Sequence, residues 1–244
     1  MTGGARRLGG AIARRLAGDG HRVVLHYHRS GDEAGALANE LGGWTVAADL
    51  QDIGAAPQLV AAARHAAGAP IDGLVNNASA FEFDRPPGMD TTLFGRLQAV
   101  NAGMPAALAC ALADQTEVET GAVVNLLDQK LANLNPDFFS YTCAKAALAA
   151  ATPMLAQALG PRISVNAVSP GLTLPSGDQS AEEFASVAAQ NLLQRPVGAD
   201  AVAAAVAFLI GSRGITGQNL FVDCGQRFVR RDSDVMFDRE RARA

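Results

Sequence analysis

Leu8, Ile12 and Leu16 recur at i, i+4 and i+8, so a single apolar face runs along a helix predicted over Gly9–Ala17. The period then changes. Arg22–His28 is a short apolar run of strand length, and the same switch repeats along the chain. Further strands are predicted at Trp44–Ala48, Ile71–Asn76, Ala122–Leu127, Ile163–Val168 and Asn219–Asp223. Alanine-rich helical patterns fall between them at Glu33–Leu41, Ala55–Ala67, Thr91–Ala113, Tyr141–Leu159, Glu182–Leu193 and Ala199–Ile210. Strands alternating with helices pair in parallel through right-handed crossovers, so the expected fold is α/β with a doubly wound parallel sheet. No linker, repeat or low-complexity tract interrupts the pattern. Residues 1–229 read as one domain, and residues 230–244 as an exposed charged tail.

Composition sharpens this picture mainly by exclusion. Of 244 residues, 49% are hydrophobic, 18% charged and 5% aromatic, which suits a well-buried core of closely packed helices. A formal charge of −4 gives no general attraction to nucleic acid or to an anionic membrane. Cys110, Cys143 and Cys224 are odd in number and far apart, which argues against a disulfide framework and for a reducing, cytoplasmic setting. His21, His26, His28 and His65 lie in no metal-ligand spacing, so no metal is expected. The first twenty residues carry four arginines and no continuous apolar run, so no signal peptide is expected. Ala201–Ile210 is too short to span a bilayer.

Two stretches carry candidate chemistry. Thr2-Gly3, followed by Leu8-Gly9 at a helix start, offers backbone N–H groups to a pyrophosphate. After the next strand the chain reads His26-Tyr27-His28-Arg29-Ser30. Arginine, histidine and a hydroxyl there suit the 2′-phosphate of NADPH, where NADH would call for an acidic residue. The alternative reading of Arg29 is a solvated loop residue. The second stretch is Tyr141-Thr142-Cys143-Ala144-Lys145. Positions i and i+4 share a helix face, so phenol and ammonium approach one another. A cation there is expected to lower the tyrosine pKa and make Tyr141 a better proton donor to a carbonyl or imine that receives hydride.

Taken together, "TGGARRLGG", "LVNNAS", Asn101 in "AVNAGMP", "YTCAK", "VSPGL" and "VDCG" resemble the short-chain dehydrogenase/reductase family in order and spacing, from Thr2 to about Phe228. That resemblance implies a Rossmann-type fold, a nicotinamide cofactor and a Tyr141–Lys145 pair. Lys145 would also hold the nicotinamide ribose, and Asn101 would support a proton-relay water. Cofactor contacts are implied at Gly3, Arg7, Leu8, Gly9, Asp49, Leu50, Asn77, Ala78, Ser79, Pro170 and Gly171, beside His28, Arg29 and Ser30. Members usually form tetramers through the two long helices, so a homotetramer is expected.

Departures from the general pattern point to a subgroup. Arg7 stands where the turn usually has glycine, and Asp128 where a serine is usual, thirteen residues before Tyr141. Ser79 replaces the glycine after "NNA", and Phe81 follows. Together with "LHYHRS", these features resemble the pteridine reductases and the bacterial dihydromonapterin reductases similar to them. In that subgroup Arg7, Ser79, Phe81, Asp128 and Tyr141 would form the pterin site. Phe81 would stack on the ring, and Asp128 would bind it and assist protonation. In isolation, Asp128 also fits a strand-end residue capping its loop. The implied activity is NADPH-dependent reduction of a dihydropterin or dihydrofolate. A general carbonyl or 3-oxoacyl reductase, and a non-catalytic NADP-binding protein, are the alternatives. Leu172–Arg195 reads as a substrate lid in which Leu174 and Pro175 are candidate contacts, and Cys224 has no functional account. The glycine turn lacks the strand that should precede it, at the centre of a 3-2-1-4-5-6 sheet. A strand of about six apolar residues is therefore expected upstream of Met1.

Overall fold

The computed structural model of the chain describes residues 1–175 and 181–235. Helices and strands alternate as α1 (Arg7–Gly18), β1 (Val24–Tyr27), α2 (Gly31–Leu41), β2 (Trp44–Ala47), α3 (Ala56–Ala67) and β3 (Gly73–Asn76). They continue as α4 (Thr91–Gln98), α5 (Met104–Ala113), β4 (Gly121–Leu126), α6 (Phe139–Leu159), β5 (Ile163–Pro170), α7 (Ala181–Ala188), α8 (Ala199–Gly211) and β6 (Asn219–Val222). All pairings are parallel: β1 with β2, and β3-β4-β5-β6 in that order.

Strand β4 explains the layering. All six of its residues are buried, and its neighbours point to opposite faces. Ala122, Val124 and Leu126 pack with Ile12 and Leu16 of α1 and Val202 and Val206 of α8. Val123 turns to the other face, onto Leu59 of α3 and Leu108 and Leu112 of α5. The sheet is therefore covered on both sides, as a doubly wound α/β fold requires.

Two predicted helices are broken. The pattern over Thr91–Ala113 is interrupted by a π-helical turn at Ala99–Gly103. Pro105 has no N–H to give the Asn101 carbonyl, so the α-helical ladder cannot run through this point. The helix expected over Glu182–Leu193 ends at Ala188. There the Asn191 amide donates to the Ala188 and Arg195 carbonyls at 2.6 and 2.7 Å, and Leu193 N–H turns to Cys224 O. Residues 176–180 of the expected lid lie outside the described residues.

At the sheet centre, two residues stand where a strand belongs. Met1 donates its ammonium to Val24 O at 2.7 Å and accepts from His26 N at 2.9 Å, while Thr2 N donates to Val75 O at 2.9 Å. Thr2 forms a parallel bridge with Asn76. Met1–Thr2 thus joins β1 to β3, giving the order β2-β1-(Met1–Thr2)-β3-β4-β5-β6. Beyond this bridge a cavity of about 400 Å³ opens between β1 and β3, lined by residues such as Val24, Val46, Leu74, Leu108 and Leu112.

The tail expected to be exposed folds back over residues 230–235. Asp234 N–H donates to buried Asp137 at 2.7 Å, and Ser233 is buried. Residues 236–244 of that tail lie outside the described residues. No helix among the described residues is long and apolar enough to cross a membrane.

Candidate active site

The glycine turn is fastened to the end of β3 rather than carried by a strand of its own. Thr2 Oγ1 accepts from Asn77 N and Ala78 N, both at 3.0 Å. Asn77 Nδ2 donates back to Thr2 O at 3.1 Å and Gly3 O at 2.9 Å. A second fastening is absent from the expected site. Gly3 N donates to Nδ1 of buried His26 at 3.2 Å, and Nε2 of the same ring faces Ala48 O at 3.1 Å. Nδ1 therefore accepts and Nε2 carries the hydrogen, which fixes the neutral tautomer. Burial, opposed by the Ala48 hydrogen bond, holds the His26 pKa down at about 4.

This turn fits a dinucleotide phosphate. Helix α1 begins with no side-chain cap and no acidic residue in its first turn, so its N-terminus is open to an anion. A Cβ on Gly9 would fall 2.1 Å from Gly3 O, so only glycine permits the turn to close this tightly. Leu8 is half-buried beside Gly9. Arg7, held at φ 52°, leaves the turn and donates to Pro175 O at 2.6 Å, bridging to the segment after β5. Through that bond Arg7 joins the turn to the connection after β5.

At the end of β1, His28 and Arg29 are exposed, and Ser30 opens α2 without using its hydroxyl as a cap. Asp49 faces His28 at 4.0 Å. Its carboxyl is held below the ordinary range, first by the Gln51 N–H and then by His28 and Arg29. Leu50 points inward and packs with Leu59 and Met104, unlike its neighbour. Pro170 ends β5 and Gly171 follows it, where Gly171 N donates to Val222 O and a Cβ on Gly171 would meet Gln226 Oε1 at 2.7 Å.

Asp128, Tyr141 and Lys145 converge beyond β4. Tyr141 Oη donates to Asp128 Oδ2 at 2.9 Å, while Asp128 Oδ1 accepts from Lys130 N at 2.8 Å. Lys145 Nζ donates to Leu126 O at 2.7 Å and lies 5.8 Å from the Tyr141 ring centroid. The expectation that Lys145 lowers the Tyr141 pKa does not hold. Burial first, and then the Asp128 charge and hydrogen bond, push the phenol well above its usual value. Burial also raises the Asp128 carboxyl, against the pull of Lys130 N–H, Tyr141 and Lys145. Burial brings Lys145 down to about 8, with Asp128 opposing it.

The loop after β3 supplies the facing wall. Buried Asn101, on the π-helical turn, accepts from Ser79 Oγ at 2.9 Å and Ala80 N at 3.0 Å and donates to Ala80 O at 2.8 Å. Its amide thus holds the loop on which Phe81 stands. Phe81 stacks on Phe138 at 4.1 Å, meets Tyr141 edge-on at 4.7 Å, and is still 46% exposed. Helix α6 is preceded by Phe138 in the left-handed region, φ 51°, which supplies no side-chain cap. Asp84 supplies the cap from the loop, accepting from Ser140 N at 2.9 Å and from the Ser140 hydroxyl. Asp84, Lys130 and Phe138 were not among the expected site residues. No motif marks them, because their partners lie far away in sequence.

Residues 3–227 match the family described as "Enoyl-(Acyl carrier protein) reductase". The crystal structure of FolM alternative dihydrofolate reductase 1 from Brucella canis, complexed with NADP, superposes with a TM-score of 0.89 at 42% identity, covering 96% of this chain and 94% of that one. Pteridine reductase 1 of Leishmania tarentolae is 30% identical over 94% of this chain and 96% of its own length. The 3-oxoacyl-[acyl-carrier-protein] reductase FabG of Staphylococcus aureus is 29% identical over 92% of this chain and 96% of its own.

Proposed function

The chain belongs to the short-chain dehydrogenase/reductase family, and from that premise we propose that it reduces a pterin, of dihydropterin or dihydrofolate type, at the expense of NADPH. It is an NADP-dependent short-chain reductase. The observation that carries the pterin reading is the Tyr141 hydroxyl donating to the Asp128 carboxyl at 2.9 Å, with the Phe81 ring beside it. The likeness to a FolM dihydrofolate reductase and to pteridine reductase 1 supports the same substrate class.

NADPH, when bound, supplies a hydride to the carbon of a ring C=N bond, whose electron pair passes to nitrogen and takes up a proton. Tyr141 and Asp128 hold that proton on their shared hydrogen bond. A carboxyl raised by burial keeps its proton to higher pH than an ordinary one, which suits an acid. Lys145 places a positive charge behind the pair. Asn101 positions Ser79 and Phe81, and the open face of Phe81 receives the flat ring. On the cofactor side, Gly3, Leu8, Gly9 and Arg7 would meet the pyrophosphate, His28, Arg29 and Ser30 the 2′-phosphate, and Asp49 and the backbone of Leu50, whose side chain packs inward, the adenine. Asn77, Ala78, Pro170 and Gly171 line the path to the nicotinamide, whose ribose Lys145 holds. The reading extends to one domain over residues 1–229 and to a cytoplasmic homotetramer, in keeping with three free cysteines.

The likeness to FabG favours a second reading, in which Asp128 merely replaces serine in a carbonyl reductase. Asp128→Ser separates the two. A pterin reductase loses about 100-fold or more in kcat/KM with dihydropterins, as loss of a positioned acid does. A carbonyl reductase keeps or gains activity on ketones and 3-oxoacyl thioesters. If the wild-type protein oxidises NADPH with those carbonyl substrates and with no dihydropterin, the pterin reading is wrong.

A further inference from the structure

Beside Asp128 lies a cavity of about 110 Å³, well below the few hundred Å³ usual for a ligand pocket. One wall is Phe81, Asp128 and Lys130; the other is Ser233, Asp234 and Val235, from the chain's last described residues. Several contacts hold this strap in place, among them the Arg231 guanidinium donating to Gln190 Oε1 at 2.5 Å. Asn133 Nδ2 donates to Val229 O at 2.7 Å, Lys130 Nζ pairs with Asp234 Oδ2 at 3.2 Å, and Asp234 N–H donates to Asp137 at 2.7 Å. The anchors are themselves fixed. Asp137 is buried and paired with Arg85 at 2.9 Å, and Lys130 is buried with its ammonium 5.4 Å from the Phe138 ring centroid. Lys130 also donates its backbone N–H to Asp128, so a single residue links the strap to the proton-holding pair.

We propose that Val229–Val235 is the outer wall of the substrate pocket, and that Asp234, clamped on Lys130, is a positioning residue that sets how large a ring substituent the site accepts. The inference rests on the pterin reading and refines it. A small hydroxylated substituent fits against the strap, whereas a long aromatic one, such as the benzoylglutamate of dihydrofolate, must displace it. The negative charge of Asp234 also acts on Asp128 and Tyr141, raising both, so the strap is electrostatically part of the site.

The test uses the full chain, Asp234→Ala, Asp234→Asn and a chain ended after Val229. Their kcat/KM is compared on dihydrobiopterin and dihydrofolate, together with NADPH affinity and melting temperature. The expected result is a shift of about tenfold in the ratio of the two substrates, towards dihydrofolate, carried by KM. NADPH affinity stays at the wild-type value in the two point variants, while their melting temperature falls because buried Lys130 loses its carboxylate partner. Equilibrium binding of biopterin and folate, read by fluorescence, is expected to show the same shift without depending on turnover. An unchanged ratio and unchanged binding in all three proteins overturn the inference. A wild-type protein that reduces small ketones but no dihydropterin defeats the pterin reading instead. The same variants, compared on small and bulky ketones, then judge the strap on its own.

Discussion

His26 makes the glycine turn sensitive to acid. Its ring accepts from Gly3 N at Nδ1 and faces Ala48 O with Nε2, an arrangement open only to the neutral imidazole. Protonation puts a second N–H against Gly3 N–H, two donors with no acceptor between them. In the folded chain the pKa is about 4, against an ordinary 6.5, a gap of about 2.5 units or roughly 3 kcal/mol at 1.36 kcal/mol per unit. The folded value is the depressed one, so this stability is present above pH 6.5 and is lost as pH falls towards 4. At pH 4.5 the loss reaches about 2.5 kcal/mol, a large share of an ordinary domain's stability. Urea denaturation of the wild type and His26→Gln at pH 7.5 and pH 4.5 measures it. Glutamine can accept and donate at the same two places without titrating, and carboxylates elsewhere cancel in the comparison. The wild type is expected to lose about 2.5 kcal/mol more than the variant. NADPH affinity should weaken alongside, because the same turn is the proposed pyrophosphate cradle. Equal losses in the two proteins would refute the assigned tautomer and its role.

Two further expectations concern the same edge of the sheet. Gly9→Ala drives a Cβ to 2.1 Å from Gly3 O, backbone that cannot step aside, whereas the nearest atom to a Cβ on Gly10 is Arg14 Nη1 at 3.5 Å. Fluorescence titration should show NADPH binding about tenfold weaker or worse for Gly9→Ala and little changed for Gly10→Ala, and equal affinities would contradict the cradle. Lys145, brought down to about 8 by burial, should lose its charge as pH rises through that value, so kcat/KM should fall above pH 8. Asp128→Asn should keep this arm, and a profile flat to pH 10 would show that the Lys145 charge is not needed.

The parts of this structure that were legible in sequence are those governed by local rules. Apolar periodicity located every strand and most helix ends, because a buried parallel strand such as Gly121–Leu126 is nearly continuous in apolar residues, broken only by Asn125. Tyr141 and Lys145 were legible because i, i+4 spacing is itself a statement about distance. Asp128 was legible only by contrast with the serine usual at its position. His26 was read as part of a basic segment, yet its meaning lies in two partners, 23 and 22 residues away, that no local pattern indicates. Asp84 caps a helix that begins 55 residues later, and Lys130 takes its partner 104 residues on. Such long-range polar pairs have no period, and only the fold brings them together. The break at Asn101 was partly visible, since Pro105 lies four residues further along.

Among the described residues, the backbone ladder between β1–β2 and β3–β6 runs through the short segment of Met1, Thr2 and Gly4. His28, Arg29, Ser30 and Asp49 ride on the smaller piece, and Asp128, Tyr141 and Lys145 on the larger. A dinucleotide bound as proposed, stretched from one set to the other, would be a rivet across a seam as well as a reagent. Each part of its binding energy that resists opening of the seam adds to the cohesion of the protein, by RT ln(1 + [L]/Kd). The two pieces hold their working alignment most firmly when the cofactor spans them.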